Sequence, residues 1–240
     1  MNCGGIGDRL KKNGIPFTAE LPEKLEIYLN LLIEWNARMD LTAVPEEEEI
    51  LDRHFADSLS ILRTPVLLPE RSMIDVGTGA GFPGMVLAMA REDMQVTLMD
   101  AQQKRLNFLH AVQEAAGVRN IRLLHARAED AGRDRIHREQ YDYAVARALA
   151  PLNVLCEYLL PFVKRGGYAL CWKGPALAEE MEAGKRASQI LGGTPEPPIR
   201  CPVEGRDWDH QILPIRKINK TPPSYPRKAG TPKARPLGET

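Results

Sequence analysis

Four glycines fall within eight positions of the run Asp75-Val76-Gly77-Thr78-Gly79-Ala80-Gly81-Phe82-Pro83-Gly84, between a short apolar segment and an amphipathic one. Glycine allows a sharp turn and lets a ligand approach the main chain closely. In a strand–turn–helix context such a run is a nucleotide-type binding turn. Two ligand chemistries compete for it. Gly79, Gly81 and Gly84 satisfy dinucleotide-binding spacing, and Asp100, 21 residues beyond Gly79, stands where a ribose-binding acid belongs. Asp75 favours the other chemistry. A carboxylate under the turn repels a pyrophosphate and attracts a ligand carrying an ammonium and a sulfonium, which describes S-adenosylmethionine. Asp100 can accept both ribose hydroxyls in either case, or cap the next helix.

These residues need elements to hold them. From Ser72 onward, strand-like runs at 73–76, 96–100, 121–125, 143–146 and 168–172 alternate with helical patterns at 82–91, 102–117, 152–163 and 176–191. Such alternation predicts an α/β fold, a parallel-rich sheet with helices on both faces. Ligands of these sheets bind beyond the carboxyl ends of the strands. Pro214 interrupts the run 212–215, which suits an edge strand.

Residues 1–70 read as an N-terminal helical cap. A helix over 18–39 starts with Thr18 as N-cap and Pro22 in the first turn. Leu21, Leu25, Tyr28, Leu29, Leu32, Ile33 and Trp35 line its apolar face. A second helix is expected to start near Pro45, with Glu46, Glu47, Glu48 and Glu49 at its electropositive end and Ile50, Leu51, His54, Ser58 and Ile61 on one side. After the central domain, 71–218, comes a Pro-rich tail, 219–240, bearing Lys220, Arg227, Lys228, Lys233 and Arg235. That composition predicts a segment mobile until it meets a partner.

The 240 residues are 43% hydrophobic, 27% charged and 6% aromatic, which excludes collagen-like, disulfide-scaffold and wholly disordered classes. No apolar run approaches the roughly 18 residues that span a bilayer. The start, MNCGGIGDRLKKNG, lacks the apolar stretch of a secretory signal, so a cytoplasmic protein without membrane contact is expected. The net charge of zero hides an asymmetry: 7 Lys/Arg against 13 Asp/Glu over residues 1–70, and 7 against 1 over 210–240. A basic end beside an acidic one points to a polyanion contacted locally. Cys3, Cys156, Cys171 and Cys201 form no CxxC pair, and His54, His110, His125, His137 and His210 show no ligand spacing, so no metal site is predicted.

The segments WNARMDLTAV, RHFADS, MIDVGTGAGFPG, YDYAVARALAPL, LCWKG and IRKINKTPPSYPRKAGTPKARPL, distributed over nearly the whole chain, carry a resemblance. The chain resembles the bacterial ribosomal small-subunit RNA guanine-N7 methyltransferases, the glucose-inhibited-division protein B family. The resemblance implies a class I (Rossmann-like) AdoMet-dependent methyltransferase fold. It also implies S-adenosylmethionine as donor and, as acceptor, guanine N7 in the decoding-region hairpin loop of 16S rRNA. Position by position it assigns the cofactor to Gly77, Phe82, Ala128, Glu129 and Arg147, beside the Asp75, Gly79 and Asp100 read from the turn. Departures are Asp40-Leu41-Thr42 in place of Asn-Leu-Thr, His210 in place of an arginine, and Pro214.

Guanine N7 has a lone pair and no proton to remove, so orientation rather than general-base catalysis is the requirement. Arg147 and Lys173 are the residues expected near the acceptor, since such cations pair with guanine O6. His54 and Asp57 of the cap are expected to close over it, with a buried, hydrogen-bonded structural role for His54 as the competing reading. The tail cations and Tyr225 are expected to clamp phosphates and stack a base of 16S rRNA or of the small ribosomal subunit. On this reading, truncating 219–240 weakens RNA binding and spares AdoMet affinity. No heptad or exposed apolar stripe demands self-association, so the chain is expected to be a monomer.

Overall fold

A computed structural model describes residues 3–44 and 46–239. Two helices, α1 (Cys3–Lys12) and α2 (Leu21–Met39), come first. The α2 helix begins at Leu21 with Pro22 in its first turn, and the residue before it is Glu20; the expected cap at Thr18 is not used. Leu21, Leu25, Tyr28, Leu29 and Leu32 are fully buried as the spacing predicted, whereas Ile33 is 44% exposed. The helix ends at Asp40 in the left-handed region, φ 48°. Asn and Asp are the residues that tolerate that conformation best, which explains why either can stand at this position.

The second cap helix is broken into pieces. Its expected start at Pro45 lies outside the described residues. A short α3 (Glu47–Ile50) runs into a π-helical turn, Leu51–Ala56, then α4 (Asp57–Leu59) and a 3-10 turn, Ser60–Arg63. The Asp57 amide donates to the Asp52 carbonyl, five residues back. One extra residue in a turn rotates the downstream side chains away from their positions on a regular helix, and such π-bulges concentrate at functional sites. Here Phe55 and Ala56 are buried and His54 is left half-buried, facing the sheet's ligand edge.

Strands β1 (Ser72–Val76), β2 (Gln95–Asp100), β3 (Ile121–His125), β4 (Tyr141–Arg147), β5 (Val163–Lys173), β6 (Gly193–Pro195), β7 (Ile199–Arg200) and β8 (Gln211–Lys217) form one sheet, ordered β3-β2-β1-β4-β5-β8-β6, with β7 also on β8. The first five pair in parallel and β8 runs antiparallel to β5. Helices α5 (Gly84–Ala90), α6 (Gln103–Ala115), α7 (Ala128–Ala131) and α8 (Leu152–Leu159) make the crossovers up to β5, and α9 (Leu177–Ile190) comes after it.

Pro214 is not on an edge. The β8 strand lies between β5 and the β6/β7 pair, and Pro214 falls in the gap between the β6 register at Ile215 and the β7 register at Ile212. Its carbonyl accepts from the Glu196 amide, so its imide nitrogen faces the same gap, where no ladder bond is lost.

Side chains alternate across the sheet. Met73, Tyr143, Val145, Leu170, Trp172 and Ile212 pack in one core with α1, α2, α5 and α6. Ile74, Val76, Ala144, Ala146, Cys171, Leu213 and Ile215 pack in the other, under α8 and α9. The cap shares the first core with the sheet rather than forming one of its own. Cys156, Cys171 and Cys201 are buried free thiols.

The tail is ordered against the second core. Tyr225 and Leu237 pack on it, and a short α10 (Thr231–Ala234) closes the chain. Arg138 donates to the carbonyls of Thr221, Pro222 and Tyr225, and Arg133 to that of Pro226. Arg227 meets the buried Glu157 carboxylate at 2.6 Å, and Lys217, fully buried, donates to Thr221 Oγ1 and the Leu160 carbonyl. The expected mobility is therefore corrected. Composition did predict that the tail carries too little apolar area to fold alone, and its backbone is held instead by side chains from 133–157.

Candidate active site

The glycine turn leaves β1 and re-enters at α5, and Gly77, Gly79 and Gly81 all have positive φ. At Gly77 (φ 69°) an added Cβ would lie 2.7 Å from Leu149 Cδ1; at Gly81 (φ 101°) it would lie 2.8 Å from Leu109 Cδ2. Both positions thus require glycine for conformation, and Gly81, enclosed by Tyr28, Leu109 and Met85, requires it for space as well. The turn is braced from below. Asp75 Oδ2 accepts from Thr78 Oγ1 at 2.7 Å and from the Gly84 amide at 2.9 Å, and Oδ1 is buried without a hydrogen-bond partner. Burial pushes the Asp75 carboxyl up to about 6, against the opposing pull of the Thr78 and Gly84 hydrogen bonds and the Arg147 charge.

A cavity of about 510 Å³ opens beside this turn, at the carboxyl ends of β1, β4 and β5. Gly77, Gly79, Phe82, Arg147, Lys173, His54 and Asp57 all line it, so seven of the expected residues converge. Four others do not reach it. Asp75 stands behind the turn, buried, and the picture of its carboxylate facing a cationic ligand is corrected: the turn's own donors occupy Oδ2, and neither oxygen lines the cavity. Asp100 accepts from the Gly79 and Gln102 amides and pairs with Arg105 at 3.3 Å. Ala128 and Glu129 open α7 away from the cavity wall, and Glu129 Oε1 accepts from the Gly230 amide of the tail at 2.9 Å.

Across the cavity a polar chain ties the cap to the sheet. Arg147 donates to the Arg53 carbonyl at 2.6 Å, to Asp57 Oδ2 at 3.1 Å and to His54 Nδ1 at 2.9 Å. A guanidinium can only donate, so His54 Nδ1 is the acceptor and Nε2 carries the ring proton, which it gives to Thr42 Oγ1 at 2.7 Å. Burial, and then the Arg147 charge, hold the His54 imidazole down at about 3. His54 is therefore neutral at pH 7, stacked on Phe82 with ring centroids 4.7 Å apart, and Arg147 lies over the same ring. His210 Nδ1 meets Asp57 Oδ1 at 2.9 Å, which makes Asp57 the hub between Arg147 and His210.

Sequence reasoning chose Lys173 and passed over its neighbour. Strand alternation puts Trp172 on the face of its register partner Arg147, where its indole donates to the Asp57 carbonyl. Lys173 points to the opposite face, and its ammonium is spent on Glu180 at 2.6 Å. Arg53, Arg105, Thr42 and His210 were also missed as wall residues. The only available signal was the period-2 alternation at Trp172; the others come from loops, the π-turn and, for Arg105, the first turn of α6.

The two shifted groups oppose each other in acid. An ordinary His titrates near 6.5 and an ordinary Asp near 3.9. His54 contributes stability that is full above about 6.5 and is lost as pH falls toward 3, because only the unfolded chain takes up that proton. Asp75 contributes stability that is full below about 3.9 and is lost as pH rises through 6. Between pH 4 and 6 they cancel. Asp75→Asn is therefore expected to lose stability relative to the parent by about 1.4 kcal/mol per pH unit as pH falls from 6 to 4. Urea titrations at several pH values check this, and parallel pH profiles for the two proteins would contradict it.

Among the described residues no helix is long and apolar enough to cross a membrane, and no group of three or more His, Cys, Asp and Glu is placed to hold a metal ion. Among solved structures, the 16S rRNA (adenine(1408)-N(1))-methyltransferase from Catenulisporales acidiphilia matches with TM-score 0.53 and 16% identity, covering 63% of this chain and 90% of that one. The YcgJ protein of Bacillus subtilis matches with TM-score 0.52 and 14% identity, covering 69% and 100%. These likenesses establish the Rossmann-like class I methyltransferase fold. Curated relatives are much nearer. The ribosomal RNA small subunit methyltransferase G of Alkaliphilus metalliredigens (strain QYMF) is 48% identical over 235 residues, 98% of this chain and 95% of the relative. That of Clostridium botulinum (strain ATCC 19397 / Type A) is 42% identical over 223 residues, 93% of each. The family model described as rRNA small subunit methyltransferase G matches residues 21–201, and the chain accordingly belongs to this family, GidB.

Proposed function

We propose that the chain transfers the methyl group of S-adenosylmethionine to N7 of a guanine in the decoding-region hairpin loop of 16S rRNA. The observation that carries this reading is the cavity where bare glycine backbone, an aromatic wall and the His54–Arg147–Asp57–His210 chain meet at the carboxyl ends of the strands. The residues present fit the donor. Gly77 and Gly79 offer main chain without Cβ hindrance, Phe82 supplies an apolar wall, and the volume lies in the range of small-ligand sites. Asp100, outside the cavity but paired with its wall residue Arg105, is the residue proposed for the ribose, and Ala128 and Glu129, also outside it at the turn leaving β3, are proposed for the adenine end.

When bound, the donor supplies an electrophilic methyl carbon on a sulfonium. A guanine N7 lone pair would take up that methyl without giving up a proton, so no residue of the chain would be needed as a general base. The chain's residues then act by holding and drying. Phe82 and Trp172 exclude water, and Arg147, fixed by three acceptors, orients the cap over the cavity. Arg53, Arg105, Arg147 and Lys173 line the wall, each paired with a carboxylate, so the cavity supplies hydrogen-bond donors rather than net charge. An extruded loop base is the form of RNA such a site can reach.

Labelled AdoMet, the purified chain and either 16S rRNA or small subunits test the reading: label is expected at one guanine N7, located by base-specific cleavage. Label on another atom, or none on either substrate, would refute it. We further propose that the protein acts in the cytoplasm as a monomer.

A further inference from the structure

We infer that residues 127–135 and the docked tail, 220–235, form one rigid cationic ridge that binds the RNA phosphate backbone beside the active site. The inference rests on the function proposed above and extends it to a surface outside the cavity. Two sets of tail-associated cations must be separated. Arg138 and Arg227 point inward and are consumed: Arg138 by the carbonyls of Thr221, Pro222 and Tyr225, and Arg227 by Glu157. Arg127, Arg135, Lys220, Lys228, Lys233 and Arg235 are exposed, and none of their side chains has an ion-pair or hydrogen-bond partner among the described residues. Arg133 is exposed as well, with only its Nε engaged, on the Pro226 carbonyl.

The exposed acids in these two segments are Asp130 and Asp134, with Glu239 just beyond the second. The surface is therefore net positive, although the whole chain is neutral. Two hydrogen bonds make the segments one body: Arg133 Nε to the Pro226 carbonyl at 2.8 Å and the Gly230 amide to Glu129 Oε1 at 2.9 Å. Arg127 lies just past the carboxyl end of β3, on the same edge of the parallel sheet as the cavity at β1 and β4. Cations held on a fixed scaffold lose less freedom on meeting phosphates than cations on a mobile tail, so the docking favours binding.

Each phosphate contact to single-stranded RNA contributes about 0.7 to the slope of log affinity against log salt, and about 0.9 to a duplex. The test is the salt slope of binding to a 16S rRNA transcript, read without AdoMet so that it does not depend on catalysis. Arg127→Gln with Arg135→Gln, and separately Lys228→Gln with Lys233→Gln, are each expected to lower the slope by about 1.4, and together by about 3. All these side chains are exposed and unpaired, so the melting temperature should stay at the parent value. An unchanged slope for the first pair would overturn the ridge and leave the tail alone. An unchanged slope for both, or capture of the parent by anionic lipid vesicles but not by the transcript, would overturn RNA docking at this face. An enzyme that methylates normally with unaltered slopes defeats the ridge only; one that binds with the expected slopes and methylates nothing defeats the proposed reaction only.

Discussion

Replacing Arg227 by alanine should destabilise the chain by about 3 kcal/mol, the lower end of the cost of breaking a buried ion pair, because Arg227 is partly exposed. The cost falls on Glu157. Its side chain is 1% exposed, and its two oxygens receive the Arg227 guanidinium and backbone amide. With arginine gone, a carboxylate is left in an apolar layer beside Cys156 and Leu155 with only one amide donor. For a chain of this size, each kcal/mol moves the melting temperature by about 2–4 °C, so a fall of about 6–12 °C is expected. Adding Glu157→Gln to the variant should recover most of it, since a neutral amide costs less to bury unpaired. Calorimetry on the parent, single and double variants decides the matter: a single variant that melts with the parent would mean the tail is not held as described. Truncating 219–240 removes this pair together with the Arg138 and Lys217 contacts. Loss of RNA binding after truncation is thus expected to come with a loss of stability, and AdoMet affinity is not expected to be spared.

Arg147→Ala is expected to lower methyl transfer by about 10²-fold or more, since small misplacements of a positioned reacting group cost on that order. Arg147 joins the π-turn, through the Arg53 carbonyl and His54, to α4, through Asp57. Arg147→Lys keeps the charge, but a point ammonium cannot satisfy three acceptors in a plane, so an intermediate loss is expected. A second readout separates this positioning role from general damage. His54 sits at about 3 through burial first and the Arg147 charge second. Removing Arg147 therefore moves the His54 titration upward, observable by NMR of the imidazole. Activity within a few fold of the parent, or an unmoved His54, would contradict the assignment.

The β–α alternation from Ser72 and the glycine turn were legible because both are local. Short, mostly apolar strand runs of four or five residues and amphipathic periods need no distant partner to be recognised. The turn at Gly77, Gly79 and Gly81 was readable for the same reason, since positive φ is a requirement of the single residue. Residue types along the chain thus determined the five parallel strands, their ligand edge and the glycine turn, whereas Phe82 and Arg147 among the wall residues came from the family resemblance. Three outcomes were settled only by tertiary packing. Asp75 and Asp100 turned inward because the amides of the turn are nearer donors than anything in the cavity. Pro214 sits inside the sheet because a gap between β6 and β7 spares its missing N–H. The tail is ordered because Arg133, Arg138 and Glu157, 70 to 93 residues away in the chain, satisfy a backbone that no local pattern could satisfy. Local conformation is set by the side chain attached to each backbone unit, whereas the partners of buried polar groups are chosen by whichever donors the finished fold brings within about 3 Å.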